Sequence, residues 1–362
     1  MRCLSRAFCS ARRLLLHTVA GIITMCAGVS SVVVPTSVIK LPAVQGSEPD
    51  KRNDVLLCLS REPVLRPHHV VYFPGDVQNY RDVMLSHAEN FRWNHWSLED
   101  IAGILSHRFP SSYIWIVKSS RMHLHKFSCY DNFVDSNMFG APNHTTELGA
   151  FKQLHALLVH AFTRAQHVLI ERTSKYGIKR DYNLPVSDMG ATYTTYGSPS
   201  EKDITNHCTE NSANHHADNS TTNFGFPAVK DSVSITLIGF SKGCVVLNQL
   251  LHELEDAKKH KDLHYFIYNI KDMYWLDGGH SGGIDTWVTS PEILKVFAET
   301  GIVVHTHVTP YQIRDPMRSW IGKEHSKFVQ MLKENNMSVE SQVHFSYEMP
   351  SLENHFRVHD VF

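Results

Sequence analysis

The sequence predicts an α/β protein, a mostly parallel central sheet with helices on both faces, and three observations carry that expectation. Short β-branched and aromatic runs alternate with segments of helical periodicity along most of the 362 residues. Several of these runs are nearly continuous in apolar residues, as strands buried on both faces must be. One run passes through a Gly-x-Ser-x-Gly turn directly into an amphipathic helix. With 42% hydrophobic and 20% charged residues, a chain of this length buries a full core without disulfide support.

The first segment stands apart from the alternation. Residues 1–47 hold no Asp or Glu but carry Arg2, Arg6, Arg12, Arg13 and Lys40, a charge of +5. The overall balance, 35 Lys+Arg against 36 Asp+Glu or −1, therefore leaves −6 on the remainder. An Arg- and Ser-bearing, acid-free segment with a mostly apolar stretch from Leu14 to Val34 reads as a mitochondrial presequence. Arg12-Arg13 ahead of the same stretch also suits a secretory signal, the alternative localisation. A membrane anchor fits less well, since His17, Thr18, Gly21, Thr24, Gly28, Ser30 and Ser31 dilute the run, and no stable span is expected in the mature chain. Near-neutral charge offers no basic field for a phosphate backbone, which excludes a dedicated nucleic-acid binder.

A single domain is then expected over 54–362. Its candidate strands are Asp54–Leu59, His69–Phe73, Tyr113–Lys118, Ser234–Ile238, Met273–Leu276, Ile302–Val308 and Gln342–Ser346. Between them, Ser97 with Asp100 caps a helix to Arg108, and Ser290, Pro291 and Glu292 open one to about Thr300. Longer helices are expected at Ala150–Glu171, Lys242–His260 and Met317–Asn335. The first of these carries a stripe of Phe151, Leu154, Leu157, Leu158, Ala161 and Phe162 at helical spacing. From Arg172 to Ser232, 61 residues contain 15 Ser/Thr and 6 Asn but only five Leu, Ile or Val. Too little surface can be buried there to offset ordering entropy, so a disordered insertion is expected, and one that could cover a site.

Cys3, Cys9 and Cys26 lie in the leader, and Cys58, Cys129, Cys208 and Cys244 show no paired spacing, so neither a disulfide framework nor a redox pair is expected. His305 with His307 and His123 with His125 are spaced i, i+2, but no third ligand accompanies either pair and no metal site is expected. Neither a phosphate-binding loop nor a dinucleotide fingerprint is present, so no cofactor is expected. The 25 histidines are the compositional outlier: with an ordinary pKa of about 6.5, exposed ones make the net charge sensitive to mild acid.

The chemistry concentrates in Ser234-Ile-Thr-Leu-Ile-Gly239-Phe-Ser241-Lys-Gly243-Cys-Val-Val-Leu. Turning from strand to helix within a few residues strains Ser241 and exposes its hydroxyl, and the two glycines remove side chains that would collide with neighbouring backbone. The Lys242 amide then stands beside the oxygen on which negative charge develops. A serine hydroxyl needs a base, and the base needs a carboxylate to hold its tautomer; in this arrangement both follow the serine in the chain. His355, in Glu353-Asn-His-Phe-Arg-Val-His359, is the expected base, with His359 and His344 as rivals. Asp315, in the loop after the penultimate strand, is the first candidate acid. Asp277, closing Met273-Tyr-Trp-Leu-Asp in a glycine-rich turn, is the alternative. The second oxyanion amide is expected from Gly75 or Asp76, in the sharp Tyr72-Phe-Pro-Gly-Asp76 turn.

Tyr72-Phe-Pro-Gly-Asp-Val-Gln-Asn-Tyr80, Arg121-Met-His-Leu-His-Lys-Phe-Ser-Cys-Tyr-Asp-Asn132, Gly239-Phe-Ser-Lys-Gly243, Leu276-Asp-Gly-Gly-His-Ser-Gly-Gly283 and Asn354-His-Phe-Arg-Val-His359 together resemble the mitochondrial family named after chromosome two open reading frame sixty-nine. The resemblance runs from about His68 to Phe362 apart from the insertion. It implies an α/β-hydrolase-like fold and a mitochondrial, matrix location, and supplies no substrate. The expected function is thus a serine hydrolase or acyltransferase acting on a small acyl ester or thioester. The alternative is a catalytically inactive protein that keeps the fold to hold a protein partner.

Overall fold

The computed structural model describes residues 38–62, 67–176 and 233–362. Eight strands form the central sheet: β1 (Val38–Gln45), β2 (Arg52–Cys58), β3 (His68–Phe73), β4 (Tyr113–Val117), β5 (Ser234–Phe240), β6 (Ile270–Leu276), β7 (Val303–Val308) and β8 (Val339–Val343). Their spatial order is β1-β2-β4-β3-β5-β6-β7-β8. β2 runs antiparallel to both β1 and β4, and every other neighbouring pair is parallel. This is the α/β-hydrolase arrangement, with the tight Gly-x-Ser-x-Gly turn following the central strand β5.

The pleat sorts side chains to two cores. In β4, Tyr113, Trp115 and Val117 face one cluster while Ile114 and Ile116 face the other; in β5, Ile235 and Leu237 oppose Ile238 and Phe240 in the same way. The first cluster is closed by α2 (Ala150–Tyr176), α3 (Cys244–Lys259), α4 (Pro291–Ala298) and α5 (Ser319–Glu334). The second is closed by α1 (Leu98–Arg108) and α6 (Leu352–Val361). The stripe read from Phe151 to Ala161 is buried in the first cluster, with Phe162 packed partly against it. Each fully buried Leu, Ile or Phe contributes about 1.5–3 kcal/mol.

Helix ends follow the sequence signals. The Ser97 hydroxyl accepts the Asp100 N–H at 3.3 Å, and the Ser290 hydroxyl accepts the Ile293 N–H at 3.4 Å with Pro291 in the first turn. The last strand lies at Val339–Val343, earlier than the expected Gln342–Ser346, so His344 follows it rather than standing within it. Helix α2 continues to Tyr176, past the expected end at Glu171, and the rest of the expected insertion, 177–232, lies outside the described residues.

The folded domain begins earlier than expected. A leader over 1–47 overlaps β1, whose Ile39, Leu41 and Val44 are buried in the first core and whose Leu41 pairs with Val55. Lys40 belongs to this domain too: it pairs with Glu99 at 2.6 Å and lies over the Tyr80 ring. Pro42 is tolerated because β1 is an edge strand with a register shift between Leu41 and Val44. Freedom from acid extends from the segment before it into this strand, which is why composition overran the boundary. Residues 1–37 lie outside the described residues.

Burial gives many of the histidines a definite state. His307 and His359 are pushed down to about 3, and His69, His144, His280 and His325 to about 4, all chiefly by desolvation. Hydrogen bonding agrees: Trp115 Nε1–H donates to His69 Nδ1 at 3.0 Å and the Gly282 N–H to His280 Nδ1 at 3.0 Å, so both nitrogens are unprotonated.

Two outcomes follow from this packing. Leu41→Ala is expected to cost about 2–5 kcal/mol in urea unfolding, as for a buried core leucine, whereas residues of a removable leader would cost nothing. The unfolded chain binds protons at these six imidazoles from about pH 6.5 downward while the folded one resists to about 4, so their stabilisation is complete above 6.5 and is lost as pH falls below it. Unfolding free energy should drop steeply between pH 6.5 and 4, by up to about 1.4 kcal/mol per pH unit for each proton taken up. A flat profile would mean that the buried rings are charged.

Candidate active site

Strand β5 ends at Phe240, Ser241–Gly243 form a single tight turn, and α3 begins at Cys244. Ser241 stands at φ +52°, a left-handed conformation rare for a residue with a side chain. The glycines explain how the turn closes. A Cβ on Gly243 would lie 1.9 Å from the Phe73 carbonyl oxygen, and one on Gly239 would lie 2.8 Å from Cys244 Cα. Gly75, on the loop after β3, approaches so closely that a Cβ there would lie 2.6 Å from Ser241 Cβ.

The neighbouring strand supplies a buried carboxylate. Asp277 directly follows β6, stands at φ +45° and is fully buried. Its Oδ2 meets His355 Nδ1 at 2.7 Å and accepts the Thr309 hydroxyl at 2.6 Å, while Oδ1 accepts the Thr309 N–H at 2.6 Å. His355 comes from α6 and lies between two rings, Phe240 at 4.6 Å and Tyr311 at 4.7 Å between centroids. The Gly279 N–H, two residues past Asp277, donates to the Ser241 carbonyl at 3.4 Å. Asp277 and His355 thus meet beyond the end of β6, with Nδ1 of the imidazole committed to the carboxylate, and Ser241 follows the adjacent strand β5.

Asp315, the first candidate acid, is elsewhere. Its carboxylate caps the following turn at the Met317 N–H (2.8 Å) and pairs with Arg318 (2.7 Å), which holds its carboxyl below the usual range. It lies seven residues past the end of β7, free to take its own cation, whereas Asp277 is turned inward at the strand end. The rival bases are committed too. His344 Nε2 bonds His307 Nδ1 at 2.9 Å; His359 bonds the Phe356 carbonyl and the Tyr72 hydroxyl.

The two turn residues after β3 part company. The Gly75 N–H already donates to Gln78 Oε1 at 2.8 Å, so it is not free to hold an oxyanion. No acceptor is found among the described residues for the Asp76 or Lys242 N–H. Sequence reasoning missed the supporting groups. Gln78 also donates to the Trp96 carbonyl and so fixes the Gly75 amide, Thr309 saturates the Asp277 carboxylate, and the Lys242 side chain is buried. Thr309-Pro310 reads only as a helix start, which it also is. Two small hairpins follow β4, Arg121–His123 with Phe127–Cys129 and Asp135–Ser136 with Pro142–Asn143; the first packs on this loop through Lys126 and Ser128, and the Tyr130 hydroxyl donates to the Pro74 carbonyl at 2.6 Å. Among the described residues no group of three His, Cys, Asp or Glu could hold a metal ion, and no helix is long and apolar enough to cross a membrane.

A profile of the C2orf69 family matches residues 40–338. The chain belongs to the C2orf69 family. It is 55% identical over 341 residues to mitochondrial protein C2orf69 of Homo sapiens, covering 90% of this chain and 86% of that one. The Danio rerio homologue is 39% identical over 332 residues, covering 88% and 84%. Among solved structures, a Bacillus cereus carboxylesterase aligns at 10% identity and TM-score 0.31, covering 85% of this chain and 92% of that one. The Shigella flexneri enterochelin esterase aligns at 12% identity and TM-score 0.39, covering 90% and 56%. The C2orf69 relatives carry no named reaction, so the chemistry is argued from the residues.

The hydrogen bond at His355 Nδ1 is directly observable. A downfield Nδ1–H proton resonance is expected in the wild type, lost in Asp277→Asn and retained in Asp315→Asn. Loss in the second variant instead would return the acid to Asp315.

Proposed function

We propose that the chain is a serine hydrolase or acyltransferase that transfers the acyl group of a small ester or thioester through Ser241. The observation that carries this reading is the buried 2.7 Å contact between Asp277 and His355 beside a serine held at positive φ. With Nδ1–H donated to Asp277, Nε2 is the basic nitrogen of the neutral ring. It takes the Ser241 proton as the hydroxyl oxygen bonds to the acyl carbon. The imidazolium, stabilised by Asp277, then returns the proton to the departing alkoxide or thiolate. Water or another acceptor repeats the cycle on the acyl-enzyme and frees Ser241. The carbonyl oxygen, negative in each tetrahedral state, would be held by the Lys242 and Asp76 N–H groups, which belong to the turn after β5 and the loop after β3.

The names of the relatives support a mitochondrial site of action, and the acid-free segment before β1 supports import through a removable presequence to the matrix. One observation favours the second reading, an inactive hydrolase fold that holds a protein partner: Ser241 is 6% and His355 4% exposed, which leaves a substrate little access.

The purified protein lacking residues 1–37, treated with a fluorophosphonate probe, separates the two. Labelling of the wild type is expected, with loss in Ser241→Ala and a reduction of about 10³-fold or more in His355→Ala. His344→Ala should label nearly as the wild type. Absence of labelling in folded wild type favours the partner-holding reading, and equal effects of the two histidines would remove His355 as the base.

A further inference from the structure

Lys242 sits where few lysines do. Its side chain is 1% exposed, and its ammonium meets Asp76 Oδ2 at 2.9 Å and the Phe139 carbonyl at 2.5 Å, above the Phe127 ring at 5.0 Å. Taking an ammonium out of water costs several kcal/mol unless partners replace the hydration. Asp76 is equally committed: its Oδ1 accepts the Ser128 N–H at 2.8 Å, and burial pushes its carboxyl up against the opposing pull of Lys242.

We propose that the Lys242–Asp76 ion pair is the device that sets the spacing of the oxyanion site, tying together side chain to side chain the two residues whose main-chain N–H groups would hold the acyl oxygen. This rests on the reading of the site as an acyl-transfer centre. The two amides belong to separate elements: Lys242 to the turn after β5, Asp76 to the loop after β3. Their separation is set by how the loop docks, and geometric errors of about 1 Å at such a site can cost on the order of 10²-fold in rate. Other bonds hold the loop to the overlying hairpin. Ser128 Oγ–H donates to the Gly75 carbonyl at 2.7 Å, and the Val77 N–H donates to the Lys126 carbonyl at 2.7 Å. These fix the loop to the hairpin, not to the elbow. The ion pair joins loop to elbow, and the Lys242 bond to Phe139 adds the turn of the second small hairpin. Lys242 and Asp76 are in this respect positioning residues through their side chains.

The test uses Lys242→Met/Asp76→Asn, which removes both charges at nearly constant volume and so avoids an unpaired buried ion, beside Asp76→Asn alone and wild type. Phosphonylation by a fluorophosphonate is timed, the ³¹P resonance of the adduct is recorded, and crystal structures locate residues 74–77. The double variant is expected to fold, to react between about tenfold and 10²-fold more slowly than wild type, and to shift the ³¹P line, because the phosphoryl oxygen occupies the oxyanion site. The single variant should lose about as much as the double, since either change opens the same tie. A double variant reacting within twofold of wild type with an unmoved ³¹P line overturns the proposal. If wild type is not phosphonylated, the acyl-transfer reading fails, and the crystal structures still decide the tie: residues 74–77 displaced from the elbow in the double variant support it, and an unmoved loop overturns it.

Discussion

The architecture of the site depends on a steric constraint between two backbones. To pass from β5 into α3 within three residues, the chain brings Gly243 so close to the Phe73 carbonyl that no side chain fits, and Ser241 is turned to φ +52° as a result. A conformation of this kind costs roughly 1–3 kcal/mol and persists only where surrounding structure over-determines it. Here β5 is paired on both sides, by β3 and β6, and α3 is buried along Val246, Leu247, Leu250 and Leu254. The same close approach places Gly75 against Ser241 and puts the loop after β3 beside the elbow. Ser241 and the loop after β3 are therefore brought together by one contact, with Asp277 one strand away at φ +45°.

Around this contact the protein has built a dry polar site in which each buried charge is answered. Asp277 receives three hydrogen bonds, two of them from Thr309, and Lys242 and Asp76 answer each other. Desolvation holds His69, His280, His307, His325 and His359 neutral. In such surroundings fixed dipoles act far more strongly than in water, and no solvent has to reorganise when charge develops. The composition that makes the histidine count unusual has in part a structural meaning: eight of these rings are buried among the described residues, where they stack or hydrogen-bond, as His69 does with Trp115 and His307 with His344.

The elbow was legible because its constraint is local: two glycines flanking a serine between an apolar strand and an amphipathic helix leave few other geometries. The place of His355 in a helix after the last strand was legible from chain order, and Ser97 and Ser290 were legible from capping chemistry. The carboxylate that meets His355 was not. Asp277 and Asp315 both follow a strand, and what separates them is tertiary: Arg318 lies within reach of Asp315, while Thr309 and His355 converge on Asp277. Gly75 and Asp76 were indistinguishable for a similar reason, since the Gln78 bond that occupies one amide depends on a side chain folding back. Strand β1 was hidden by composition. Its alternation of buried Ile39 and Leu41 with exposed Lys40 is strand-like, but it shares the acid-free character of the segment before it.

The central claim is that the strained serine is chemically competent where it stands. Mass spectrometry of the folded protein lacking residues 1–37 after reaction with diisopropyl fluorophosphate, followed by peptide mapping, addresses this most directly. The account predicts one phosphoryl adduct per chain, confined to the peptide containing Ser241 and absent after unfolding in urea before treatment. An unmodified folded protein, or an adduct on any other residue with Ser241 intact, would contradict it.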